Sequence, residues 1–249
     1  MKNELSLKGK TALVTGAGGG IGSAVVERLI QAGARVALHY NNSEEKVLQL
    51  QNLYGDNICY LARADFTDTQ SVQELFDDVW SWKNKIDILI NNAALIEPVE
   101  SINDISEQDL IKAMKVNFIA PFLLAQKVLQ KMNHEGYGRI ASISSIAVKY
   151  SGSPQMAHYM ASKAALEAGM LALSKHGSTS GVLVNVVRAG VTKTAAQQRI
   201  GRDDLSERES LIPIGRAAEP SEIAEVVAFL VSPLNTYMTG AIVPVAGGE

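Results

Sequence analysis

Tyr159 and Lys163 stand four residues apart in Tyr-Met-Ala-Ser-Lys, inside a stretch with helical spacing over 157–174. Residues four apart share a helix face. An ammonium beside a phenol favours the phenolate, so the pair predicts a tyrosine pKa below the usual value of about 10. Such a tyrosine can give a proton to a carbonyl oxygen or take one from an alcohol. The spacing alone also fits a bland alternative, a part-buried tyrosine and a solvated lysine. Ser145 adds weight. It stands just past a strand expected at 139–143, which runs into Ser144-Ser145, where its hydroxyl could hydrogen-bond the same oxygen.

These groups need a frame, and the chain supplies one. Residues 12–15 form a short apolar run that reads as a strand buried on both faces. A loop follows that is too rich in glycine for any packed element: Thr15, Gly16, Gly18, Gly19, Gly20, Ile21 and Gly22. Helical spacing then begins at 23–32, with Val25, Val26, Leu29 and Ile30 on one side. Strand, glycine loop and helix start together make a phosphate cradle of bare backbone and unpaired N–H groups. Gly16, Gly20 and Gly22 give G-x-x-x-G-x-G, distinct from the commoner G-x-G-x-x-G. An ordinary glycine-rich turn is the alternative, but the strand and helix sit on the correct sides.

Strands at 35–39, 58–62, 86–90, 139–143, 183–187 and 241–245 alternate with helices at 69–82, 106–132, 157–174 and 221–230, with Pro121 expected to kink the long one. This density of alternation predicts one α/β domain over 1–249, a Rossmann-type doubly wound parallel sheet of about seven strands. In such a sheet ligands bind beyond the C-terminal strand ends. The polar and glycine-rich turns fall there, at 15–22, 40–43, 65–66, 91–94, 144–145 and 188–194.

The chain has 249 residues, a net charge of −3 and interspersed signs. That gives no support to a nucleic-acid or membrane partner. There is no long apolar run and no signal pattern at 1–10. The single cysteine, Cys59, is expected in the core, and the simplest setting is a reducing one, the cytoplasm. The histidines at 39, 134, 158 and 176 have no metal-ligand spacing, so no metal is expected.

In this order, the 15–22 loop, Asn91-Asn92-Ala93, Ser145 and Tyr159-x-x-x-Lys163 resemble the short-chain dehydrogenase/reductase family, most of all its β-ketoacyl-acyl-carrier-protein reductase group. The match covers essentially the whole chain, including Tyr237-Met-Thr-Gly240 and Gly247-Gly248. The resemblance implies that Tyr159 protonates a carbonyl oxygen, that Ser145 orients it, and that Lys163 lowers the Tyr159 pKa and holds the nicotinamide ribose. Asn117 resembles the asparagine of a water-linked proton relay; taken alone it reads as a polar residue in a helix kink. Asp65 and Phe66 are implied at the adenine, Asn91 and Ala93 at the adenosine ribose, and Gly190, Val191 and Thr194 at the carboxamide. The segment 192–213, polar and charged, is implied as the lid over a small-molecule ketone or alcohol. A homotetramer is implied too.

The stretch 39–43, with Tyr40, Asn41, Asn42 and Ser43, lacks the acid that favours NAD(H), which leans the reading to NADP(H). The nearby cations are Arg35 and Lys46, and Gly19 stands where a basic residue is common; NAD(H) stays open. Ser180 replaces the basic residue that would meet an acyl carrier protein. Ala94, Ala189 and Ala246 depart from the family pattern, and Ala94 would clash only at a positive φ. Arg188 could face the pocket and attract a substrate carboxylate or phosphate, or point to solvent. A sensor that binds dinucleotide without catalysis would be expected to lose Tyr159 or Lys163, and both are present. Isomerase or dehydratase chemistry at the same site is a third reading.

Overall fold

The computed structural model describes residues 5–132, 136–150 and 152–249. His134 and residues 1–4 of the expected N-terminal segment lie outside them. The elements run β1 Thr11–Val14, α1 Gly20–Gln31, β2 Arg35–Tyr40, α2 Glu44–Tyr54, β3 Cys59–Arg63, α3 Thr69–Lys83, β4 Ile88–Asn91, α4 Glu107–Met114 and α5 Ala120–Met132. The second half runs β5 Gly138–Ser145, α6 Ala147–Tyr150, α7 Ala157–Ser178, β6 Val182–Ala189, α8 Ala195–Arg199, α9 Ser206–Glu209, α10 Pro220–Leu230 and β7 Ile242–Val245.

All seven strands are parallel, in the order β3-β2-β1-β4-β5-β6-β7. The order reverses between β1 and β4, so their C-terminal ends open the crevice that an open sheet offers a ligand. Both faces of the sheet are covered. Val14, Val36, Leu38, Ile90 and Val187 pack with α1, α2 and α10 on one side. Leu13, Leu89, Ile140, Val184 and Val186 pack with α3, α5 and α7 on the other. Strands buried on both faces must be apolar throughout, which is why β1 reads as an unbroken run. Cys59 is buried in β3, and burial pushes its thiol up to about 11.

Three local features differ from expectation. α1 starts at Gly20, so Gly20 and Gly22 belong to its first turn and not to the loop. α2 has no counterpart in the sequence reading, because it buries only Val47 and Leu50 and its apolar stripe is too thin to stand out. The stretch 106–132 breaks at a π turn, Lys115–Ile119, just before Pro121. Pro121 has no N–H to offer the carbonyl of Asn117, four residues back, and its ring crowds that carbonyl.

Candidate active site

The 15–22 loop is clasped from β4. Thr15 is buried, and its Oγ1 accepts the N–H groups of Asn92 and Ala93, each at 3.0 Å. Asn92 Nδ2 donates back to the carbonyls of Thr15 and Gly16 at 2.9 and 3.0 Å. Gly16 has φ +65, and a Cβ there would lie 2.9 Å from Ala93 Cα. A Cβ on Gly22 would lie 2.1 Å from the Gly16 carbonyl oxygen. Side chains are excluded, and backbone comes to the surface instead.

His39, at the end of β2, is a further brace. Its Nδ1 accepts the Gly16 N–H at 3.1 Å, so Nε2 carries the proton and donates to the Ala64 carbonyl at 3.1 Å. Its ring stacks on Phe66 at 4.4 Å. Burial holds its pKa down to about 4, so the ring is neutral at physiological pH. Sequence reasoning gave His39 no role. Its signal was a histidine where a buried strand meets the ligand edge.

The cradle suits a dinucleotide. α1 has no side-chain cap at Gly19 and no acid in its first turn, so its leading N–H groups are free for an anion. Ser43 lies against Gly18, and Thr194 lies against Gly20 from across the cleft. Other expected contacts shift. Asn91 turns its side chain inward, where Nδ2 donates to Ser142 Oγ at 3.1 Å, so only its backbone can meet a ribose. Phe66 is in the core, leaving its backbone to the adenine. Asp65 forms an Asx turn with Thr67, whose N–H holds the carboxyl below its usual range. Arg35 sits at the opposite end of the sheet, in register with Thr11, and cannot serve a cofactor phosphate. Arg63 can. It is in register with Tyr40 and exposed at the same edge as Asn41 and Asn42. An acid also reaches this corner: Tyr40 donates to Glu44 of α2 at 3.1 Å. Ala94 has no positive φ, so its methyl is tolerated.

Across the cleft, Ser145, Tyr159, Gly190 and Val191 line a cavity of about 410 Å³. Strand alternation separates the two serines. Ser144 points toward α7 and donates to Glu167 Oε1 at 2.7 Å, while Ser145 faces the cavity and accepts the Ala147 N–H at 3.2 Å. Arg188 points to the α7 side as well. Its Nε and Nη2 meet Glu167 Oε1 and Oε2 at 2.8 and 2.6 Å. It neither faces the pocket nor hangs in solvent, because Glu167 claims both ends of its guanidinium.

Tyr159 and Lys163 share a face of α7, and both are buried. The expected lowering of the phenol does not occur. Lys163 Nζ donates to the Ile143 carbonyl at 2.8 Å and lies 5.9 Å from the centre of the tyrosine ring. Burial dominates and pushes Tyr159 up to about 12, with the Ser145 hydrogen bond opposing. Burial also draws Lys163 down to about 8, against the pull of Glu167. Asn117 is fully buried. Its side chain accepts the Leu95 N–H at 2.7 Å and donates to the Leu95 carbonyl and Ser162 Oγ, each at 3.0 Å. The side chain is thereby fully committed within the protein.

Among the described residues there is no cluster of metal-ligating side chains, and no helix is long and apolar enough to cross a membrane. What this end of the sheet can do is hold a dinucleotide against a carbonyl that rests on Ser145 and Tyr159. That is the task of a dinucleotide-dependent oxidoreductase. The family model described as enoyl-(acyl carrier protein) reductase matches residues 16–249. The 3-oxoacyl-(acyl-carrier-protein) reductase FabG of Rickettsia felis is 36% identical over 248 residues, covering 98% of each chain. Among solved structures, a blue fluorescent protein from a metagenomic library in complex with NADPH is 30% identical, with a TM-score of 0.91 and 98% of each chain covered. The 3-ketoacyl-(acyl-carrier-protein) reductase of Brucella melitensis complexed with NADH is 26% identical, with a TM-score of 0.89, covering 98% of this chain and 99% of that one. The chain belongs to the short-chain dehydrogenase/reductase family, and it is an NAD(P)-dependent oxidoreductase of carbonyl and CH–OH groups.

Proposed function

We propose that the chain is an NADP(H)-dependent ketone reductase with Tyr159 as proton donor, Ser145 as the group that orients and polarises the carbonyl, and Lys163 beneath them. The observation that carries this reading is the convergence of Ser145 and Tyr159 on one cavity wall, beside Gly190 and Val191. With the dinucleotide's phosphates on the glycine cradle, its nicotinamide would lie by Gly190, Val191 and Thr194 and supply the hydride. A phenol pushed up to about 12 keeps its proton at neutral pH, which suits donation to a carbonyl oxygen. Lys163, drawn down to about 8, is still mostly cationic at neutral pH and supports the phenol and the ribose. The Asn117 carbonyl would carry the proton relay behind it. The cofactor-side residues are the 15–22 loop, Tyr40, Asn41, Asn42, Ser43, Asp65, Phe66, Asn91, Ala93, Gly190, Val191 and Thr194, several of them through backbone alone, with Tyr159 and Lys163 reaching the nicotinamide ribose.

Arg63, beside Tyr40, supports NADP(H) over NAD(H) by offering a cation to a 2′-phosphate. Segment 192–213 is the lid; its Gln197, Ile200, Arg202 and Arg208 line the cavity. The substrate is a small to medium ketone, and the relatives' names point to a β-ketoacyl thioester. Docking of an acyl carrier protein is not favoured by Ser180. The setting is cytoplasmic and the assembly a homotetramer, supported by exposed apolar residues such as Leu110, Ile111, Tyr237 and Met238.

The test is cofactor oxidation by the purified protein, with NADPH and NADH in parallel, over β-ketoacyl thioesters, diketones and cyclic ketones. NADPH should be preferred. Tyr159→Phe should lower turnover at least about a hundredfold and leave NADPH binding intact. Turnover at the wild-type rate by Tyr159→Phe would remove the proton-donor role.

A further inference from the structure

The cavity over Ser145 and Tyr159 is lopsided in charge. One wall is apolar, with Ile96, Ile146, Met156 and Met160. The lid wall brings Arg202 and Arg208, and no Asp or Glu is among the lining residues. Arg208 already has a counter-ion, since its Nη2 donates to the Glu249 carboxylate. Arg202 is half-buried, and among the described residues its guanidinium has neither a hydrogen-bond acceptor nor an ion-pair partner.

A guanidinium that has given up part of its hydration without a replacement costs stability. Its fork of donors matches a carboxylate or a phosphate, and of the two a carboxylate is the smaller fit beside a ketone in a cavity of about 410 Å³. A neighbouring residue of the same wall, Gln197, keeps its own polar atom behind the cavity surface. Gln197 Oε1 is shut off from solvent and accepts no hydrogen bond from any described residue. The two residues are held together, because the Arg202 N–H donates to the Gln197 carbonyl at 2.9 Å. The lid therefore presents one unpaired cation, Arg202, to a cavity that Ser145 and Tyr159 also line.

We propose that Arg202 is an anion subsite of the substrate pocket, so that the preferred substrate is a small oxo acid whose free carboxylate pairs with Arg202 while its ketone sits on Ser145 and Tyr159. The inference rests on the reductase reading and narrows its substrate class. The carboxylate takes no part in the chemistry: the ketone carbon gains the hydride, its oxygen gains the Tyr159 proton, and a hydroxy acid leaves.

The experiment compares 3-oxobutanoate, 4-oxopentanoate and 5-oxohexanoate with their methyl esters, using NADPH and the full-length protein, in the wild type, Arg202→Gln and Arg202→Lys. In parallel, calorimetry measures binding of 3-hydroxybutanoate in the presence of NADPH, a combination that cannot react. The wild type should favour at least one acid over its ester by about tenfold or more in kcat/KM. Arg202→Gln should bring that ratio close to one, mainly through KM, and should weaken hydroxy-acid binding; Arg202→Lys should keep part of both. Equal use of acids and esters by the wild type, or a ratio that ignores Arg202→Gln, overturns the subsite and leaves the reductase reading standing. Arg202-dependent binding of the hydroxy acid with no ketone reduced overturns the reductase reading and keeps the subsite.

Discussion

On the cofactor side of the cleft, four elements converge on a few backbone atoms: Asn92 and Thr15 clasp the glycine loop to β4, and His39 ties the same loop to the end of β3. On the substrate side, segment 192–213 is joined to the body by the Thr192–Ala218 bridge, by the Lys193–Glu219 and Arg208–Glu249 ion pairs, by Thr194 against Gly20, and by a small apolar cluster of Val191, Ile212 and Ala217 with Leu205, while its two short helices bury no residue. The first region is organised before any ligand arrives. The second holds few buried contacts and many polar side chains, so it can change shape and lining without disturbing the fold. On the proposed reading, gripping a dinucleotide belongs to the rigid side. On the same reading, the choice of ketone belongs to the loose side.

The largest stability effect should break this division, because it lies beneath the substrate pocket. Arg188→Met would leave Glu167 buried with Ser144 as its remaining hydrogen-bond donor. Removing one partner of a buried ion pair costs about 3–5 kcal/mol, and partial exposure of Arg188 lowers that to roughly 2–3 kcal/mol. Urea denaturation checks it. Glu167→Leu combined with Arg188→Met should recover part of the loss, short of about 1 kcal/mol for the orphaned Ser144 hydroxyl and of the further cost of leaving the buried Lys163 without the Glu167 carboxylate. If the double variant is no better than the single, the pair is not the source of the cost.

A smaller effect sharpens the comparison. Gly22→Ala places a methyl against the Gly16 carbonyl, and the braced loop has nowhere to move. Overpacking of this kind costs about 1–3 kcal/mol. NADPH affinity should fall with it, by about tenfold or more, since the same atoms form the cradle. Thermal shift with and without NADPH separates the two losses. Wild-type affinity in a destabilised variant would mean that the loop can yield after all.

What could be read from the chain follows the same division. The glycine loop, the Tyr–Lys spacing and the seven strands are legible because backbone geometry dictates them. Arg188 was harder, although β6 carried a clue. Strand alternation puts it on the same face as Val184 and Val186, which pack toward α7, where Glu167 waits. The same alternation separates Ser144 from Ser145. Arg63 was missed because its closeness to Tyr40 exists only through the β2–β3 register. The pKa of Tyr159 went the other way from the spacing argument, because one sequence distance cannot tell how deeply a pair is buried or where the ammonium points.

The smallest effect probes the brace that the sequence concealed. His39 has a folded pKa of about 4 against 6.5 when unfolded. Between those values the unfolded chain binds more protons than the folded one, so stability rises with pH there. The contribution is therefore complete above about 6.5 and is lost progressively as pH falls toward 4. Between pH 7 and pH 5 the loss should be roughly 1–2 kcal/mol. His39→Gln keeps a polar side chain and removes the titration, so its denaturation midpoint should vary less over that window than the wild type's. NADPH affinity of the folded wild type should hold from pH 7 to pH 5 and weaken only as pH approaches about 4, where His39 takes up a proton and can no longer accept the Gly16 N–H. A wild-type profile that is flat from pH 7 to pH 5 would show that His39 is not the acid-sensitive joint of the cofactor side, and that the loop is held by Thr15 and Asn92 alone.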